Sequence, residues 1–474
     1  EAVTIVGQKR LIEPSATNSV RTVDAEEIQN AASRSVTGML DMQAGVTITN
    51  GRLHIRGSRA EEVAYTLDGA QITDVINTGR DISAIPEALA EIAVESGGYG
   101  AHVGGANSGV VRQTLRTGGS EFGGNVRFES GDYGYNDMTA TIGGPLGPVK
   151  FFAALRQTHT DDWNPSFYES FDIDVDGDGT VDDLPSFEAG VTPDGDTIQV
   201  SFDGSAIPHR AQDKFQLNST ASMDFGPLNL RFTGVVDNAT WQSNSLPIYY
   251  MFNTDRLSEG ERNLTMIATR VNFFLNPNFL ITAGFSTMNR SYESYDGLFG
   301  KPGGFEDALM WHDSATVADK MGAEAGANWK TAYTDPTSYY VGLFPFQRPG
   351  DITTGWSKNN RSTLGLDAGI TYQMGDHEIR AGLDMKNYTY RKYYLSTSAM
   401  EQVNRLVATS DDVASFSDAA SGSNETVTDA LSLYLRGGQI GYDDYGAESD
   451  EGFDGPREPS TMSFYVNDKY EAGD

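Results

Sequence analysis

The chain has 474 residues, and 66 Asp and Glu against 34 Lys and Arg leave a formal charge of -32 at pH 7; a surface of that sign repels nucleic acid, which is excluded as a partner. The absence of cysteine removes disulfide frameworks, thiolate metal sites and Cys nucleophiles together, leaving His and carboxylates as metal ligands. With 52 Gly, 22 Tyr and 23 Phe, and no run near the ~20 apolar residues of a spanning helix, the composition favours β structure and excludes a helical membrane protein.

The chain opens at Glu1 without Met and without a basic and then apolar leader, as a processed chain or a fragment does. Its first run, Glu1, Ala2, Val3, Thr4, Ile5 and Val6, is β-prone and lies beside Gly7. Such a run either adds as an edge strand to a partner's sheet or forms a strand of its own domain. Helical periodicity is confined to residues 24–28 and 35–40, the first with an acidic start that suits the helix dipole.

From about residue 120 the pattern becomes period-2 alternation. Phe215, Leu217, Ala221 and Met223 alternate with polar neighbours, as do Leu364, Leu366, Ala368 and Ile370, and then Ile379, Ala381, Leu383 and Met385. Each strand has one apolar and one wet face. Short turns at 144–148, 225–227, 276–278 and 374–376 interleave with long polar segments at about 159–210, 239–261, 293–358 and 396–460. Sorting of connections into short and long by turns is the pattern of an up-and-down barrel in an outer membrane, with tight turns on the periplasmic side. About ten strands are countable from residue 122 onward by this criterion.

Residues 172–183 place Asp172, Asp174, Asp176, Asp178, Asp182 and Asp183 around two glycines in one long loop. Alternating carboxylates with glycine between them converge hard oxygen donors as calcium requires. Structural calcium in an external loop is the one cofactor expected, against the alternative of a plain solvated acidic loop. Catalytic signatures are absent: there is no Gly-x-Ser-x-Gly elbow, no His-Glu-x-x-His helix and no phosphate loop, and the six histidines are scattered. No enzyme activity is expected.

The most specific signal lies before residue 120. Leu53-His54-Ile55-Arg56-Gly57 is followed by Tyr65-Thr66-Leu67-Asp68-Gly69, by the acidic segment 85–94, and by Tyr99-Gly100-Ala101 with Ser108-Gly109-Val110. This order and spacing resembles the plug domain of TonB-dependent outer-membrane transporters. The resemblance implies a mainly β protein: a transmembrane up-and-down antiparallel β-barrel, 22-stranded when complete and truncated here, with an N-terminal α/β plug in its lumen. It implies a Ton box-like segment at 1–8 that engages periplasmic TonB through Glu1 to Val6, a plug at 9–120, and the N-terminal portion of the barrel with long extracellular loops at 121–474. Ligand-facing plug apices are expected at Asp74, Asn77, Arg80, Tyr99 and His102. Arg56, Arg112 and Arg116 are expected to pair with lumen carboxylates such as Asp224, Glu378 or Asp384, since semi-buried guanidinium takes bidentate carboxylate partners.

The function implied is import of a scarce or large solute (siderophore, cobalamin, oligosaccharide or peptide) across the outer membrane, with the lipid bilayer and TonB as partners. Two alternatives remain. One is a plugged-barrel surface receptor or a component of a multiprotein complex with a surface lipoprotein partner; the other is a soluble calcium-binding β protein.

Overall fold

The computed structural model describes residues 19–31, 33, 35–74, 79–165, 186–191, 197–201, 207–247, 249–323, 325–326, 338–341, 344–401, 403, 439–450 and 455–470. Asp24 ends strand β1 (Val20–Asp24) and starts helix α1 (Ala25–Asn30). Its carboxylate accepts from the N–H groups of Glu26 and Glu27 while Glu27 accepts from the Asp24 N–H, so the two residues satisfy donors the helix itself leaves open. Ser35 caps α2 (Val36–Asp41) in the same way through the Gly38 N–H at 3.0 Å. Both predicted helices therefore sit where their caps place them.

A hairpin of β2 (Val46–Thr49) and β3 (Arg52–Ile55) follows. Then come β4 (Val63–Leu67), β5 (Ala70–Gln71), β6 (Leu89–Glu95) and β7 (Gly109–Leu115). With β1 these form a five-stranded sheet in the order β1-β6-β7-β4-β5, in which β4 and β7 run parallel. Asp68 and Gly69 form the two-residue turn from β4 to β5, with φ of 49° and 84°. Positive φ at both positions is what a tight hairpin of the correct twist demands, and Asp-Gly meets it at low cost.

Ten further strands make one antiparallel sheet: β8 (Gly123–Ser130), β9 (Asn136–Leu146), β10 (Val149–Thr160), β13 (Gln212–Asp224), β14 (Leu228–Gln242), β15 (Ser258–Asn276), β16 (Phe279–Asp296), β19 (Trp356–Met374), β20 (His377–Leu395) and β21 (Ser460–Tyr470). Each pairs with the next of these in the chain. Two short hairpins, β11 (Ser186–Val191) with β12 (Thr197–Ser201) and β17 (Ser338–Val341) with β18 (Phe344–Gln347), belong to long connections. Among the described residues β8 and β21 do not pair with each other, so the sheet is an open wall of a barrel.

One face of that wall carries an apolar band. Ile267, Phe273, Ile281, Phe285, Leu364, Leu366, Ile370, Leu383, Met385, Phe464 and Val466 are all exposed on it, and among the described residues no second sheet covers them. On β15 the band runs from Ile267 to Leu275, which matches the ~9–11 tilted residues that cross a hydrocarbon layer. Above it the same face turns polar, with a cavity of about 280 Å³ bordered by Asn263, Thr265, Asn289 and Ser291. Strands β15 and β16 continue past the band to Ser258 and Asp296. Both faces are polar there, so alternation stops and the sequence pattern ends each strand too early.

The opposite face holds the N-terminal domain, and there it is not uniformly wet as expected. Phe152, Ala154, Val235, Leu264, Met266, Ala268 and Met288 join the domain's own Ile28, Met39, Ile85, Leu89 and Leu115 in one buried cluster. A filled lumen is a protein interior, so positions under the plug follow core chemistry. Two helices absent from the sequence reading, α3 (Phe305–Leu309) and α4 (Ser314–Met321), lie in the connection from β16 to β19. They carry few periodic apolar residues. Asp313, which caps α4 through the Thr316 N–H at 2.8 Å, and tertiary burial of Phe305, Leu309 and Val317 stabilise what propensity does not.

Candidate functional site

The plug is fixed to the wall by its turn tips. At the β4–β5 turn the Asp68 carboxylate accepts from Arg231 Nη2 at 3.0 Å, from Thr233 Oγ1 at 2.6 Å and from the Leu115 N–H at 3.0 Å. Arg231 and Thr233 are two apart on β14 and so share its lumen face. Along β13, Thr220 Oγ1 donates to the Arg116 carbonyl at 2.6 Å, Gln216 Nε2 to the Ser83 carbonyl at 3.1 Å, and Asn218 Oδ1 accepts from the Ile85 N–H at 2.7 Å. Glu87 pairs with Arg127 of β8. Between these contacts the fit is incomplete. A cavity of about 570 Å³ lies at the short-turn end, between Ile28 and Met39 of the plug helices and Thr139, Thr141 and Phe152 of the wall.

At the other level Asp74 and Asp81 meet two arginines. Arg290 Nη1 lies 3.4 Å from Asp74 Oδ2 and also pairs with Asp81, while Arg361 pairs with Asp74. Arg290 and Arg361 are direct cross-strand partners on β16 and β19. Like charges directly opposite repel, so the two plug carboxylates supply the compensating anions. Burial and then the neighbouring Asp74 carboxylate push the Asp81 carboxyl above its ordinary range, against the pull of Arg290 and Arg361. Around this pair the lumen wall is cationic and aromatic. Trp241 stacks at 5.6 Å on Tyr292, Arg262 pairs with Asp237 at 2.7 Å, and Arg361 lies over the Tyr390 ring at 5.6 Å.

The expected residues are thus dispersed. Asp74 is at the wall. Arg80 turns back into the plug, donating to Thr37 of α2. Tyr99 donates to the Ala106 carbonyl at 3.0 Å. His102 sits 6.2 Å from Tyr465 of β21, well down β20 from Arg361, since Tyr465 pairs with Gly382 whereas Arg361 pairs with Tyr390. The polarity of plug–wall pairing is the reverse of that expected. Arg112 pairs inside the plug with Glu95 at 3.1 Å, Arg116 stacks on Phe152 of the wall at 5.4 Å, and Arg56 is exposed. Their expected partners are engaged elsewhere: Glu378 with Arg380, Asp384 with Lys386, and Asp224 with the Gly226 N–H. Asp is a turn residue, so carboxylates collect at plug tips, and the long guanidinium is the side chain that reaches them from a strand. Glu1 to Val6, Asn77, and the loop aspartates 172, 174, 176, 178, 182 and 183 lie outside the described residues. Among the described residues no group of three His, Asp or Glu is placed to hold a metal ion.

The long connections pack into a cap beside the strand ends. Trp311, Trp356, Tyr393, Met400 and Tyr442 are buried together, and Lys358 lies 4.1 Å over the Trp356 ring. Asp351 in this cap is pushed up to about 7 by burial, opposed by Arg348 and Arg256 and reinforced by Glu401. A carboxyl whose folded value is raised binds its proton more tightly folded than unfolded. Its contribution therefore favours the cap at low pH and is lost as pH rises from about 4 towards about 7. Protection factors of the cap, which remove the intrinsic rise of amide exchange with pH, are expected to fall between pH 4 and pH 7, and Asp351→Asn is expected to flatten that dependence.

Residues 14–111 match the family model of the TonB-dependent receptor plug domain. The TonB-dependent transporter Oar of Myxococcus xanthus is 24% identical over 263 residues, which are 48% of this chain and 24% of that protein. The siderophore receptor PirA of Acinetobacter baumannii superposes with a TM-score of 0.51 at 12% identity, covering 95% of this chain and 54% of that one. The alcaligin outer-membrane receptor FauA of Bordetella pertussis gives 0.50 at 10% identity, covering 82% and 50%. The chain thus spans about a quarter of the curated relative and about half of each solved receptor. Residues 14–111 are thus similar to the plug domain of TonB-dependent receptors, and plug and open wall together share the fold of about half of a solved outer-membrane receptor of that kind.

Proposed function

We propose that the whole protein is an energy-coupled importer, taking up a solute too scarce or too large for diffusion through an open pore. The observation that carries this reading is the plug's attachment. It is seated against the wall by polar contacts at Asp68, Asp74 and Asp81 and by an apolar seam through Phe152, Val235 and Met266, beside a cavity of about 570 Å³. A domain seated that way blocks passage at rest and has to be moved by work supplied from outside it. In this reading TonB grips the segment Glu1 to Val6 by strand addition and pulls, while loop 172–183 holds calcium and stiffens the external surface. Deleting residues 1–7 from the full-length protein in its native host is expected to abolish accumulation of its solute, followed by mass spectrometry of cell extracts, while binding at the cell surface persists. Unchanged accumulation of every solute that depends on the gene would instead favour a docking receptor.

A further inference from the structure

The outer face of the wall holds a built cavity where the lipid-facing band ends. We propose that this cavity of about 280 Å³ seats the uncharged sugar headgroup of a membrane glycolipid whose acyl chains lie on the band. The proposal goes beyond the importer reading and is independent of it.

Strand register builds the cavity. Thr265, Asn289, Ser362 and Thr389 are successive cross-strand partners on β15, β16, β19 and β20, and Asn263, Ser291, Asn360 and Arg391 form the next row away from the band. Neighbouring strands lie about 4.8 Å apart, so each row spans about 14 Å, with about 7 Å between rows on one face. Arg290 and Arg361 stand between the rows and send their guanidiniums to Asp74 on the lumen side, which fixes both rows on the outer face. The rows continue the band directly. Thr265 precedes Ile267 by two positions and Ser362 precedes Leu364 by two, and both apolar side chains are exposed.

The chemistry of the lining selects the occupant. Amides and hydroxyls both donate and accept, as sugar hydroxyls do, whereas a phosphate headgroup takes cations. The one cation whose side chain faces the cavity is Arg391, and it is already engaged: it donates to the Gly441 and Ser449 carbonyls at 2.7 and 3.1 Å and pairs with Asp450. Asn360 in turn donates to the Tyr442 hydroxyl at 2.7 Å, so segment 439–450 closes the side away from the lipid. Among the described residues, no hydrogen bond engages the side chains of the other six. Acyl chains packed there would leave these groups without partners, at a cost that a sugar removes. Continuity with the band gives that sugar a lipid anchor, which a free saccharide lacks.

The test uses the full-length protein in octaethylene glycol dodecyl ether, a detergent without sugar, and reads retained lipid by native mass spectrometry. Diglucosyl dioleoylglycerol is the neutral probe, dioleoylphosphatidylglycerol the anionic one and maltose the free sugar. The glucosyl lipid is expected to be retained about tenfold more strongly than phosphatidylglycerol, and maltose in equal amount should not displace it. Asn289→Leu with Ser362→Val carries the band into the cavity and should weaken retention about tenfold, the worth of two ordinary hydrogen bonds. Thr265→Val with Thr389→Val should weaken it several-fold; valine matches threonine in shape and suits a strand, so this loss reports hydroxyl contacts and not misfolding. Retention equal to the parent in both double variants would overturn the site. Equal retention of phosphatidylglycerol would overturn the sugar as occupant, and displacement by maltose would overturn the lipid anchor.

Discussion

Arg256→Ala is expected to unfold the external cap while leaving the membrane-embedded strands in place. The guanidinium and the Asp296 carboxylate are both fully buried, 2.9 Å apart. The same guanidinium donates to the Trp311 carbonyl at 2.7 Å and to the Gly350 carbonyl, and lies 5.0 Å from the Phe299 ring centre. One side chain thus joins the connection before β15 to both ends of the connection between β16 and β19. Its loss leaves Asp296 charged and without its main partner in a dry site, which costs about 3–5 kcal/mol. Hydrogen exchange should quicken through residues 297–321 and 347–355 and hardly change in β14 to β16. The double variant Arg256→Met with Asp296→Leu separates the possibilities. If buried charge is the cause, removing both partners restores much of the protection; a double variant no better than the single would mean that the carbonyl contacts dominate.

Asp68→Ala is expected to free the periplasmic end of the plug. Three donors converge on that carboxylate, one from the plug backbone and two from β14. Arg231 also donates to the Leu115 carbonyl at 2.7 Å, so a single residue ties β4, β7 and the wall together. Removing it leaves the Leu115 N–H without its acceptor and costs about 2–4 kcal/mol, toward the lower end because the Arg231 side chain is 21% exposed. Limited proteolysis should cut the plug in the variant and spare it in the parent. Thr233→Val, which removes the shortest of the three contacts without stranding a charge, should cost about 1 kcal/mol. Equal resistance of Asp68→Ala and parent would show that the apolar seam through Phe152, Val235 and Met266 holds the plug by itself.

Legibility in the sequence follows the range of the forces involved. The two plug helices were readable because Asp24 and Ser35 act on amides two or three residues away. The Asp68-Gly69 turn was readable because left-handed backbone at two successive positions selects those residue types. Strand identity in the lipid band was readable because lipid on one side and lumen on the other enforce period two, and the alternation of short and long connections supplied the topology. Beyond the band that signal fades, and the outermost residues of β15 (258–261) and β16 (293–296) passed for loop.

The site was less legible, for the same reason. Asp74 was recognised as an apex residue, yet nothing near it in the chain names Arg290 or Arg361, which lie more than two hundred residues away and meet each other only through the register of β16 on β19. The sign of the plug–wall pairs could not be read either, since counting charges does not say which partner must span the gap. The sequence by itself determined the class of the protein: an acidic, cysteine-free chain with a plug and a leading run of barrel strands. Tertiary structure alone decided which lumen positions became core, which carboxylates became attachments, and where the guanidinium pair stands. Those outcomes depend on contacts between distant segments, and only strand register and the placement of one domain inside another bring them within a few ångströms.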